Sequence, residues 1–136
     1  MTTIFAQIIE RTVPADIIYE DDIVIAFLDI NPIQPGHALV IPKIPSIDGL
    51  DCSSDTLAHL IKVGQKIAQT QKKVLSCDGV NFIMNNGAAA GQEVFHTHLH
   101  VIPRFTDDDS FEEPLRGEYE EDEATDLATA LAKALV

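Results

Sequence analysis

Residues 95–102 read Phe-His-Thr-His-Leu-His-Val-Ile, an alternation that places His96, His98 and His100 two residues apart. On an extended strand, successive side chains point to opposite faces, so the three imidazoles share one face. Thr97, Leu99 and Val101 share the other, which suits packing against a helix. Ordinary core packing does not set three polar rings on consecutive positions of one face. The run therefore asks for a chemical explanation as well as a structural one.

The rest of the chain supplies a sheet around that strand. Ile17-Ile18-Tyr19 and Ile23 to Leu28 are β-branched or aromatic runs on either side of Glu20-Asp21-Asp22, which predicts a hairpin. Asn31 to Gly36 carries Pro and Gly punctuation, and a third strand follows over His37–Ile41, ended by Pro42. Val80–Met84 reads as a fourth strand and Val94–Ile102 as a fifth, stopped by Pro103. Between the third and fourth strands the period changes. Leu57, Leu60, Ile61, Gly64, Ile67, Ala68 and Val74 fall near one helical stripe, with Ser53 or Ser54 as N-cap, which predicts a long helix over 54–74. Residues 4–9 suit a short helix, and Leu127, Leu131 and Leu135 mark a last one, with acids at its start and Lys133 near its end. Strands cluster as hairpins with one long helix among them, so the expected class is antiparallel α+β.

With 136 residues the chain suits one domain. We expect a body over 1–106, with an acidic segment and helix over 107–136 belonging to the same domain. No apolar run reaches the roughly 20 residues that a membrane span needs. The N-terminus lacks the basic stretch and long apolar core of a signal peptide. Cys52 and Cys77 form no Cys-x-x-Cys pair and read as free thiols, so the cytoplasm is the expected compartment. The formal charge of −13 is concentrated late in the chain. Residues 107–126 hold eleven of the 22 acidic residues against Arg116 alone, which gives that segment −10 and the remainder −3. Nucleic-acid polymers need clustered cations and are not expected as partners. A single mononucleotide asks for less.

Two chemistries suit the histidine run. Histidines at i and i+2 can share a zinc ion, but His96 and His100 lie ~13 Å apart along an extended strand. With Zn–N bonds near ~2.1 Å, three of them do not easily meet one ion, although a two-histidine site completed from elsewhere stays open. The other chemistry is nucleophilic and acid–base. A neutral imidazole can attack phosphorus while a neighbouring ring handles a proton. Asn85 to Gln92, rich in Gly and Ala, comes just before the histidines, and its backbone N–H groups can approach an oxyanion closely.

The stretch His96-Thr97-His98-Leu99-His100-Val101-Ile102 resembles the His-φ-His-φ-His-φ-φ signature of the histidine-triad family, with Thr97 in one hydrophobic place. Tyr19 to Asp22, Ala26 to Pro32 and Pro35-Gly36-His37 to Lys43 also resemble its Hint-like nucleotide-binding branch, and the likeness spans roughly residues 3 to 105. The resemblance implies a five-stranded antiparallel sheet with a long helix, paired in a homodimer as a ten-stranded sheet. It implies His98 as a nucleophile forming a nucleotidyl-histidine, with His100 at the phosphate and leaving group and His96 and His37 as orienting partners. Asp29 matches the ribose-binding carboxylate, and Phe5, Ile8, Phe27 and Ile30 match the apolar base pocket. Asn85, Gly91, Gln92, Glu93 and Val94 match the phosphate side. His59 matches nothing in that site and reads as ordinary surface.

Two departures stand out. Many bacterial members of the family build a structural zinc site from an early Cys-x-x-Cys and a later histidine, whereas those positions here are Thr3, Ala6 and Pro45. No metal and no cofactor are expected. Glu93 stands where some relatives carry a serine that donates to the substrate, which suggests an altered leaving-group preference. The leading expectation is a phosphoramidase acting on the P–N bond of purine nucleoside monophosphate amides. A dinucleoside polyphosphate hydrolase and a nucleotide-binding regulatory protein are the alternatives. Transfer to a sugar phosphate is disfavoured, because that branch replaces the third histidine and His100 is present.

Overall fold

The computed structural model describes residues 2–109 and 113–136. In chain order its elements are α1 (Ile4–Ile9), β1 (Ile17–Glu20), β2 (Val24–Leu28), β3 (Ala38–Pro42), α2 (Ser54–Leu75), β4 (Gly79–Ile83), β5 (Leu99–Arg104) and α3 (Glu123–Leu135). A 3₁₀ turn at Ala88–Ala90 lies between β4 and β5. The five strands pair antiparallel in the order β1-β2-β3-β5-β4, so the expected fold class holds.

Local chemistry explains the element ends. Asp21 closes the first hairpin, its Oδ1 accepting from the backbone N–H of Ile23 and Val24 at 2.8 Å each. Ser53 is the N-cap of α2, its Oγ accepting from Thr56 N, and Ser76 ends that helix in the left-handed region. Thr3 caps α1 in the same way, accepting from Ala6 N at 3.1 Å.

The sheet is covered on both faces, which is why β2 and β3 are nearly continuous apolar runs. Val24, Ala26, Val40, Leu99 and Val101 face α2 and meet Leu60, Val63 and Ile67. The helix approaches β5 closely at Gly64, where an added Cβ would sit 2.8 Å from Leu99 Cδ2. On the opposite face Ile25, Phe27, Leu39 and Ile41 pack with Phe5 and Ile8 of α1.

The fifth strand differs from expectation at both ends. It starts at Leu99 rather than Val94, because residues 96–97 bond the chain that leaves β3 instead of a neighbouring strand. Thr97 N donates to Ser46 O at 2.8 Å, and His96 Nε2 lies 2.9 Å from Pro42 O. It also runs through Pro103 to Arg104. Pairing with β3 ends at Val101, so on that side the strand is an edge that tolerates a proline.

Beyond β5, Arg104 binds Asp108 and Asn81, and Thr106 N donates to Asp78. The acidic segment therefore begins anchored to the body. Its residues 110–112 lie outside the described residues. The last helix starts at Glu123, and none of its residues is buried. Among the described residues no helix is long and apolar enough to cross a membrane.

Candidate active site

The register of β5 puts His100 opposite Leu39, and therefore on the sheet face that carries α1. Phe5 of α1 meets two more rings of the run edge-on, His98 at 5.0 Å and His96 at 6.0 Å between centroids. His98 and His100 are 4.9 Å apart, and His37, just before β3, lies 5.1 Å from His100. The three histidines thus share a side as the alternation predicts, although two of them precede the strand. His37 joins them from a turn distant in sequence.

Backbone partners fix the neutral tautomers of His37, His96 and His98, and His37 in turn fixes that of His100. A carbonyl only accepts and an amide N–H only donates. His98 Nδ1 lies 2.7 Å from the His96 carbonyl oxygen, so Nδ1 carries the proton and Nε2 holds a free lone pair. His37 Nδ1 accepts from Ile33 N at 3.0 Å, so its proton is on Nε2, which donates to His100 Nδ1 at 2.9 Å. His100 is left with its proton on Nε2. His96 donates from Nε2 to Pro42 O, which leaves its Nδ1 an acceptor facing Thr3 Oγ1 at 3.5 Å.

Burial keeps these rings neutral. It lowers the pKa of His98, partly opposed by the His96 carbonyl and Asp29, and that of His37, partly opposed by Asp29. Burial also lowers His96, against the Pro42 carbonyl. His100 is pushed down to about 4, first by burial and then by the neighbouring histidines, with Asp29 opposing.

Asp29 lies near the same His37 nitrogen, with Oδ2 3.7 Å from Nε2, and its Oδ1 accepts from Asn31 N. Phe5, Ile8 and Phe27 are buried together with Val94 packed beside them, whereas Ile30 is 92% exposed. In the turn before the histidines, Gly91 takes a φ of +97° that favours glycine, and Asn85 Nδ2 reaches its carbonyl at 3.5 Å. Glu93 is exposed. Gln92 is 4% exposed and its side chain is taken up by the backbone. Its amide donates to Ile47 O and Val94 O, and its oxygen accepts from Gly87 N at 2.8 Å. It holds the turn from behind.

Sequence reasoning missed three supports. Buried Gln71 of α2 donates to Gly36 O and Val101 O, tying the approach to His37 onto β5. Ser46 Oγ meets Thr97 Oγ1 at 2.6 Å. His59 is not idle surface; its Nε2 lies 2.7 Å from Asp21 Oδ2 and pins α2 to the first hairpin. A polar residue on the stripe side of an amphipathic helix was the available signal for Gln71. The other two depend on contacts across 38 and 51 residues.

Asp29, His37 and His100 are a group whose potential ligand atoms lie within 4.8 Å of one another. They do not fit a metal ion, because His37 Nε2 carries the proton that Ile33 N–H forces onto it. Thr3, Ala6 and Pro45, with His96, line an open cavity of about 400 Å³ on the α1 side. Glu10 and Asp51 also line it, so its potential zinc ligands are one imidazole and two carboxylates, with no thiolate.

Residues 10–107 match the HIT domain family. The purine nucleoside phosphoramidase of Escherichia coli K12 is 42% identical over 103 residues, 74% of this chain and 85% of that protein. The crystal structure of a HIT family member from Bacillus subtilis superposes with a TM-score of 0.91 at 33% identity, over 100% of this chain and 99% of that one. A zinc-bound histidine triad protein from Mycobacterium smegmatis gives 0.78 at 40% identity, over 98% and 96%. With a domain match over most of its length and its histidines in this arrangement, the chain belongs to the HIT family.

Proposed function

We propose that this protein hydrolyses the P–N bond of purine nucleoside 5′-phosphoramidates through a nucleotidyl intermediate on His98. The observation that carries this reading is the bond from His98 Nδ1 to the His96 carbonyl. It leaves Nε2 as the nucleophilic atom, and burial keeps that atom unprotonated near neutral pH. The Phe5 edge against His98 limits how far the ring can turn.

In this reading His100 presents its Nε2–H to the phosphoryl oxygen or the departing amine, and His37 holds it in that tautomer. Asp29 keeps carboxylate oxygen capacity for the ribose hydroxyls, and Phe5, Ile8, Phe27 and Ile30 receive the base. The turn around Asn85, Gly91, Glu93 and Val94 lies on the phosphate side, with Gln92 fixing its shape. The phosphoramidase from E. coli supports the choice of P–N bond. Two copies pairing along the open edge of β4 would form the ten-stranded sheet, and two free thiols suit the cytoplasm.

The deciding experiment compares turnover of adenosine 5′-phosphoramidate and diadenosine tetraphosphate by wild type and His98→Ala. Expected is phosphoramidate cleavage that falls by at least about 10⁴-fold in the mutant. Faster, His98-dependent cleavage of the polyphosphate would replace the substrate assignment. No His98-dependent turnover of either would leave nucleotide binding as the function.

A further inference from the structure

The positions that could hold zinc in relatives do come together here, but around a different bond. Thr3 Oγ1 accepts from Ala6 N and also faces His96 Nδ1 at 3.5 Å, the long end of hydrogen-bond distance. Because Pro42 O takes the proton on His96 Nε2, the Thr3 hydroxyl can satisfy His96 only as a donor. His96 as a whole is 1% exposed. The carbonyl of the same residue accepts from His98 Nδ1.

We propose that Thr3 is a metal-free clamp: its hydroxyl joins the first turn of α1 to His96 and thereby positions His98. The argument rests on three features. First, the cavity is poorly suited to zinc: Thr3, Ala6 and Pro45 contribute neither thiolate nor imidazole, and of its two carboxylates Glu10 is exposed while Asp51 Oδ2 already accepts from Ile47 N. Second, a single hydroxyl links the two segments that bound His98, namely the cap of the helix bearing Phe5 and the ring of the residue whose carbonyl holds the nucleophile. Third, the open cavity beside that bond means no packed side chain duplicates it from outside. Thr3 touches neither the reacting atoms nor the expected substrate, and acts through His96.

This inference deepens the phosphoramidase reading, and its test separates the two. Thr3→Ser keeps the hydroxyl, Thr3→Val removes it, and Thr3→Asp keeps a good helix cap while losing the donor. The readouts are kcat and KM for adenosine 5′-phosphoramidate, ring ¹⁵N shifts of His96, and zinc content of the purified wild type. We expect Thr3→Ser to match wild type and Thr3→Val to lose about fivefold in kcat at unchanged KM. Thr3→Asp should keep the wild-type melting temperature, yet move a proton onto His96 Nδ1 and lose kcat. Zinc should be substoichiometric, and chelator should not change the melting temperature. The clamp is overturned if Thr3→Val leaves both kcat and the His96 shifts unchanged, or if wild type holds one chelatable zinc per chain. Should wild type fail to turn over phosphoramidate, the shifts and the zinc content still decide the clamp, while the function itself is lost.

Discussion

The histidine site and the C-terminal segment are built on opposite terms. Around His98 each ring nitrogen that meets the protein has a partner of fixed sense, and the rings are mostly buried. In α3 no residue is buried, and Leu127, Leu131 and Leu135 all stand exposed. Charge follows the same division, with −10 in residues 107–126 and −3 elsewhere. A site that must keep a neutral lone pair ready needs low dielectric and fixed donors. A segment dense in carboxylates needs water around it. The difference teaches that the net charge of this chain says little about its site.

Substitution breaks or sharpens that contrast most directly. Leu60→Ala, at 0% exposure under the sheet, should cost about 2–5 kcal/mol in urea unfolding. Leu131→Ala, at 64% exposure, should cost less than about 0.5 kcal/mol. Similar values for the two would mean that α3 is packed in solution. Next in size, Gln92→Ala strands two carbonyls and one N–H around the 87–94 turn, for about 1–3 kcal/mol. It should also reduce kcat/KM, and stability lost without any change in kcat/KM would confine Gln92 to folding.

The pH dependence follows from the depressed histidines. Each binds its proton less readily folded than unfolded, so the unfolded chain takes up more protons below about 6.5. Their contribution to stability is complete above that pH. It is lost as pH falls toward about 4, where His100 titrates. Urea midpoints measured between pH 7.5 and 4.5 should fall, and His100→Asn should flatten the slope. An unchanged slope would remove His100 as its source. The smallest effect is expected from ending the chain at residue 112, which should shift stability by less than about 0.5 kcal/mol because α3 buries nothing.

Much of the fold was legible because its periods are clean. The stripe from Leu57 to Val74 gave α2, with Ser53 as its cap, and the Asp21 turn gave the first hairpin. The start of β5 was misplaced because alternation alone does not say what an extended segment pairs with. Here it bonds the last residue of β3, Pro42, and the loop beyond it at Ser46. The resemblance that places Gln92 beside the substrate says nothing of its amide, which bonds the backbone at Ile47 and Val94 across 45 residues and within the turn. His59 looked idle because Asp21, its partner, is 38 residues away.

The sequence by itself determined the elements, the shared side of His96, His98 and His100, and the chemistry those rings can perform, since periodicity and side-chain type are local properties. Tertiary structure decided which nitrogen of each ring is free. That choice is made by Ile33 N–H, Pro42 O and the His96 carbonyl, whose positions follow only once the sheet, its loops and α1 have packed.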